Sequence, residues 1–227
     1  MKRTILAYLI FTAIAVIGIF YGKQIEPAYQ GIRIWKVENI GLILIGLPFA
    51  LLLPSAGLPN FTPSPLFSKK QMLIPIMIGV LFGILDVITI EWMLPHPPHT
   101  TLPAYTQPFP YSIFLYFSGA FEIEVFYRLI PLTILLLFFH RYKKGKYFEA
   151  AFYTGAVLTS LREPLEQWPQ GPVWFVLYAL TTGVAMNFIQ ALLFRRQGFM
   201  PALYVRLGHY LIWHIANGVM IQYLLLK

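Results

Sequence analysis

Long apolar runs alternate with short polar or proline-rich stretches along this chain. The runs cover residues 5–21, 39–53, 72–93, 111–139, 147–161, 173–194 and 200–226. A helix rises about 1.5 Å per residue, so about 20 apolar residues cross the hydrocarbon core of a bilayer. The pattern predicts an all-α, polytopic transmembrane helix bundle of about seven spans. The second run is the weakest, being short and interrupted by Pro48; if it is re-entrant, the sidedness of everything after it inverts. Residues 54–71 form a loop rich in Pro, Ser and Gly, and residues 94–110 a proline-rich loop bearing His96 and His99. No repeat at a fixed period and no low-complexity tract interrupts the series.

Composition supports the same class. Of the 227 residues 58% are hydrophobic and 11% charged, against about 25% charged in soluble domains. No polar region is long enough to fold separately, so residues 1–227 read as a single integral membrane domain. Without cysteine there is no disulfide framework, thiol nucleophile or Cys–metal site. The formal net charge is +8, but the cations sit at the ends of apolar runs. That placement favours anionic headgroups of the lipid bilayer over nucleic acid.

With the N-terminus in the cytoplasm, the inner side receives Lys2, Arg3, Lys69, Lys70, the 141–146 basic group, Arg195 and Arg196. The outer side receives Lys23, Arg33, Lys36 and Lys227. This excess predicts a multi-pass protein of the cell membrane, N-in and C-out. The first run lacks a clear A-x-A site and is longer than a usual signal core, so it is expected to stay as a helix.

The candidate chemistry starts from S-G-A-F-E-I-E-V-F-Y-R, Ser118 to Arg128, inside the fourth run. A charge at mid-bilayer costs about 2.5–3.5 kcal/mol on insertion scales and persists when paired or facing a polar cavity. Glu124 and Arg128, four apart, share a helix face, whereas Glu122 and Glu124 point in nearly opposite directions. Gly119 and Pro131 bracket the stretch and admit a kink. The plain alternative is an internal ion pair that fastens neighbouring helices.

The last run holds Arg206, His209, His214 and Asn217. His214 shares a face with Asn217, and Arg206 with His209. The two histidines are about 140° apart on a regular helix, unlike an i,i+4 metal pair. Asp86 is a lone acid whose partner is Arg128 or Arg206. Asn187 and Gln190 read as interhelical hydrogen-bonding groups. Arg162, Glu163 and Glu166 read as a solvated loop or a cavity wall, and His96 and His99 as an exposed loop.

A Glu-x-x-x-Arg in a middle helix, followed late in the chain by a His and an amide, resembles the CPBP family. These are the CAAX-protease and bacteriocin-processing (Abi) intramembrane metalloproteases. The resemblance covers about residues 111–227. Its pattern is Glu-Glu-x-x-x-Arg, then Phe-x-x-x-His, then His-x-x-x-Asn/Asp. Here Glu124 and Arg128 match, Ile123 replaces the first Glu, the fifth run lacks a histidine, and Asn217 is three rather than four places after His214.

The resemblance implies a metal-dependent peptidase acting on a membrane-associated peptide or protein. Glu122 or Glu124 would be the base, Arg128 an orienting cation, and His214 with Asn217 a ligand or oxyanion donor. The implied metal set is His214, His209 and Glu124, holding a divalent ion such as zinc. Two other classes follow from the residues. One is a catalytically silent scaffold or membrane partner subunit on the same fold. The other is a small transporter with Asp86, Glu122 and Arg206 along its path, although no internal repeat or matching pair of broken helices favours it.

Overall fold

The structure is a computed structural model and describes residues 1–29, 31–62 and 69–226. Residues 63–68 of the expected 54–71 loop, the side chain of Lys70, and Lys227 lie outside the described residues. The chain begins with α1 (Lys2–Ile25) and α2 (Val37–Leu52). Next come α3 (Lys69–Val87), which runs on through a π-helical turn at Ile88–Met93, and α4 (Tyr111–Glu124), which continues through a π turn at Val125–Leu129 into α5 (Ile130–Arg141). Then follow α6 (Phe148–Glu166), α7 (Val173–Gln197) and α8 (Phe199–Tyr210). A third π turn at Leu211–Ala216 joins α8 to α9 (Asn217–Met220), and a fourth closes the chain at Ile221–Leu225. Among the described residues these make seven continuous rods and no strand.

Four rods are long and apolar enough to cross a membrane: Lys2–Ala28, Gln71–Met93, Tyr111–Gly145 and Val173–Gln197. The remaining three of the seven expected spans are helical but do not reach that standard. The 16 residues of α2 give about 24 Å of rise, short of a hydrocarbon core of about 30 Å. In α6 stand Glu149, Arg162, Glu163 and Glu166, and the last rod carries Arg206 and two histidines. The outer faces of the long rods are apolar. On α3, Leu73, Met77, Leu81 and Ile84 are exposed at helical spacing, whereas the opposite face carries Gly79 and Gly83. A helix apolar all round has no polar face to offer water.

The innermost rod is α8, which packs on α3, α4 and α7. Its approach to α3 is as close as backbones allow. A Cβ on Gly79 would lie 1.9 Å from the Val205 carbonyl oxygen, and one on Gly208 would lie 2.2 Å from that of Ile76. Small residues four apart on α3 meeting a glycine on α8 are the usual means of bringing two membrane helices together. The consequence is chemical, because Asp86 on α3 and His209 on α8 come within hydrogen-bonding reach.

Candidate functional site

Two polar centres occupy the bundle. The first joins α4, α6, α7 and α8. Glu124 Oε1 accepts from Arg128 Nη1 at 3.1 Å, Arg206 Nε at 2.7 Å and Gln190 Nε2 at 2.7 Å. Arg128 Nη2 donates to Gln190 Oε1 at 3.0 Å, to the Asn187 carbonyl at 3.1 Å and to the Asn187 side chain. Arg206 forms a fork with Glu163, Nη1 to Oε1 and Nη2 to Oε2, both at 2.7 Å. Glu124 and Arg128 are 0% exposed and Arg206 1%, so water reaches neither charge of the Glu124–Arg128 pair. Two guanidinium groups balance two carboxylates, and bidentate, charge-assisted bonds offset the desolvation that burial imposes.

The second centre faces space. A cavity of about 210 Å³ is lined by Asp86, Glu163, Asn187, Arg206, His209 and His214, with Phe82, Met186, Tyr210 and Trp213 among its apolar wall. At about 30 Å³ per water it has room for several. Asp86 accepts from Tyr178 Oη at 2.8 Å, and its Oδ2 lies 2.7 Å from His209 Nε2. The carboxylate therefore holds the Nε2–H tautomer, assigned from the bonding pattern, and leaves Nδ1 as a lone pair. That Nδ1 is buried without a protein partner, on a residue that lines the polar cavity.

The residues expected from the sequence divide between several environments. Glu124 and Arg128 belong to the closed network. Glu122 turns away from them, accepts from Asn39 Nδ2 at 3.2 Å, and lines a separate crevice that His214 also lines. His214 is stacked on Tyr116 with ring centroids 4.1 Å apart, and its Nδ1 lies 2.5 Å from the Tyr105 carbonyl oxygen. The π turn corrects the expected divergence of the histidines: its i→i+5 closure brings residues five apart to one side, and the His209 and His214 rings stand 6.3 Å apart. Asn217 points elsewhere and donates to Glu91 Oε1 at 2.9 Å.

His214, His209 and Glu124 do not assemble as a ligand set. Glu124 is enclosed by guanidinium groups, His209 is bonded to Asp86, and His214 to a backbone carbonyl. Among the described residues, one group of three brings ligand atoms within 4.8 Å of one another: Glu91, His96 and His99. Tyr105 Oη donates to Glu91 Oε1 at 2.9 Å. Burial, with the Glu91 carboxylate beside it, pushes the Tyr105 phenol well up from its ordinary value, so it remains a donor. The Pro97 carbonyl, accepting from Nδ1, raises the pKa of His96, against some desolvation.

Sequence reasoning understated four residues. Glu163 is no loop acid: α6 runs past Pro164 to Glu166, and Glu163 is buried against Arg206. Asp86 pairs with His209 rather than with an arginine. His96 and His99 converge on a carboxylate. The spacing of H-P-P-H, with Glu91 at the preceding helix end, was the signal for that convergence.

No protein-family model, curated protein or solved structure matches this chain.

Proposed function

We propose that the chain is a multi-pass protein of the cell membrane that hydrolyses a peptide bond in a membrane-associated substrate, using Asp86 and His209 as its base. The carrying observation is that the Asp86–His209 pair lines a cavity, with the second ring nitrogen of His209 left without a protein partner. Asp86 orients the ring. His209 Nδ1 takes a proton from water as the oxygen attacks the carbonyl carbon, then returns it to the leaving amine. Arg206, on the same wall, supplies positive potential where the oxyanion develops. The choice of a peptide bond rests on the CPBP resemblance. The metal that the resemblance implies does not fit His214, His209 and Glu124, whose side chains are held by other partners.

A second reading, a catalytically silent scaffold on the same fold, is favoured by the enclosure of Glu124, which leaves the family-like glutamate out of reach of water. Peptide turnover by the purified chain in liposomes separates the two. The hydrolase reading expects turnover that falls about 10²–10⁴-fold in His209→Ala and in Asp86→Asn with little change in melting temperature. Turnover that survives both substitutions, or its absence from the native chain, favours the scaffold.

A further inference from the structure

We infer that Glu91, His96 and His99 bind a divalent cation of the zinc type where the α3 rod gives way to the proline-rich loop. The inference stands apart from the hydrolase reading, since none of the three residues lines the Asp86–His209 cavity.

The donor set is the first ground. Two imidazoles and a carboxylate are the ligands of a three-residue zinc site that keeps a position for water. Their geometry is the second. Ligands on a tetrahedral zinc with bonds of about 2.0–2.1 Å stand about 3.3–3.4 Å from one another. Here Glu91 Oε2 is 3.0 Å from His99 Nε2 and 3.6 Å from His96 Nε2, values that bracket that separation.

Orientation is the third ground. Tyr105 and Asn217 both donate to Oε1 at 2.9 Å, which turns Oε2 toward the two rings. The Glu91 side chain is only 2% exposed. His96 Nδ1 lies 2.9 Å from the Pro97 carbonyl and its Nε2 lies 3.3 Å from the Glu91 carbonyl oxygen and 3.6 Å from Glu91 Oε2, so with the hydrogen on Nδ1 the Nε2 lone pair would be presented beside the carboxylate. A metal ion would take the place that a proton on each Nε2 holds in these contacts. A metal ligand whose other ring nitrogen donates to a backbone carbonyl is the usual supporting arrangement. Pro95, Pro97 and Pro98 limit the freedom of the loop, which reduces the ordering cost of binding.

The test uses the full, untagged chain in detergent, stripped with chelator and titrated with Co²⁺ and Zn²⁺. One equivalent per chain is expected, with the visible absorption of four-coordinate Co²⁺ bleached by Zn²⁺. His96→Gln with His99→Gln abolishes the signal, Glu91→Gln weakens binding at least 10-fold, and Tyr105→Phe, which keeps the ring, weakens it about 10-fold. Glu124→Gln and His209→Ala leave the stoichiometry at one, so failure of the hydrolase reading and failure of this site remain distinguishable. No stoichiometric binding by the native chain, or binding unchanged in the double histidine variant, overturns the site. Melting curves accompany each variant. If the double variant does not fold, Tyr105→Phe decides: unchanged affinity counts against the site.

Discussion

The Glu124–Arg128–Arg206–Glu163 network and the Asp86–His209 pair use the same classes of side chain within one bundle, yet differ in what surrounds them. In the network, Arg128 is held by Glu124 of its own rod and by Asn187 and Gln190 of α7, Arg206 by Glu124 and Glu163 of other rods, and Glu124 and Arg128 are wholly inaccessible. At Asp86–His209, one side of the imidazole is oriented and the other is unpartnered beside a cavity. Charge inside an apolar run therefore has two meanings. Where opposite charges enclose it, it fastens the bundle; where an oriented pair lines a cavity, it can do chemistry. Glu163 and Arg206 lie at the border, bonded into the network while lining the cavity.

Breaking the network gives the largest expected effect. Arg206→Ala leaves the buried Glu163 carboxylate uncompensated and Glu124 with Arg128 alone as its counter-charge, and should cost about 3–5 kcal/mol, read as lost thermal stability in detergent. A loss below about 1 kcal/mol would mean the network does not hold the helices together. Replacing Glu124, Arg128, Glu163 and Arg206 together with apolar residues of similar volume should recover most of the stability, as matched removal of buried pairs often does.

Next is the helix contact that sets the second centre. Gly79→Leu must push α3 from α8, costing about 1–3 kcal/mol and separating Asp86 from His209, so stability and any turnover fall together. Gly119→Ala is the matched control: a Cβ there meets nothing within 4 Å, and a helical Gly→Ala change should add about 0.5–1 kcal/mol. Equal destabilisation by both substitutions would remove the close-approach argument.

His209→Ala should sharpen the contrast, losing turnover while changing stability by no more than about 1.5 kcal/mol, the range of one hydrogen bond. A loss the size of that in Arg206→Ala would make His209 part of the fastening. Smallest is Tyr105→Phe, about 0.5–1.5 kcal/mol for one hydroxyl, measured by melting without added metal.

The apolar runs were legible because a period of 3.6 and a length of about 20 residues are local properties. Glu124 with Arg128 was legible for the same reason, since residues four apart meet on any regular helix. His209 with His214 was not, because a π turn alters the local period and nothing in L-I-W-H-I-A announces it. Glu163 was misplaced because Pro164 reads as a boundary, although the helix continues through it. The four rods that meet the membrane standard and the three that do not show a further limit: apolarity marks what is helical more reliably than what spans.

From the chain alone came the all-helical class, the apolar outer faces and the residues that must be paired or sheltered, because these follow from burial costs paid residue by residue. Which acid meets which base came from tertiary structure. Glycines on α3 and α8 that let two backbones touch set Asp86 against His209, and a loop folded back over the end of α3 set two histidines against Glu91. Those partners are separated by 123, 5 and 8 positions, and no periodicity encodes a contact that depends on how helices pack and how a loop turns.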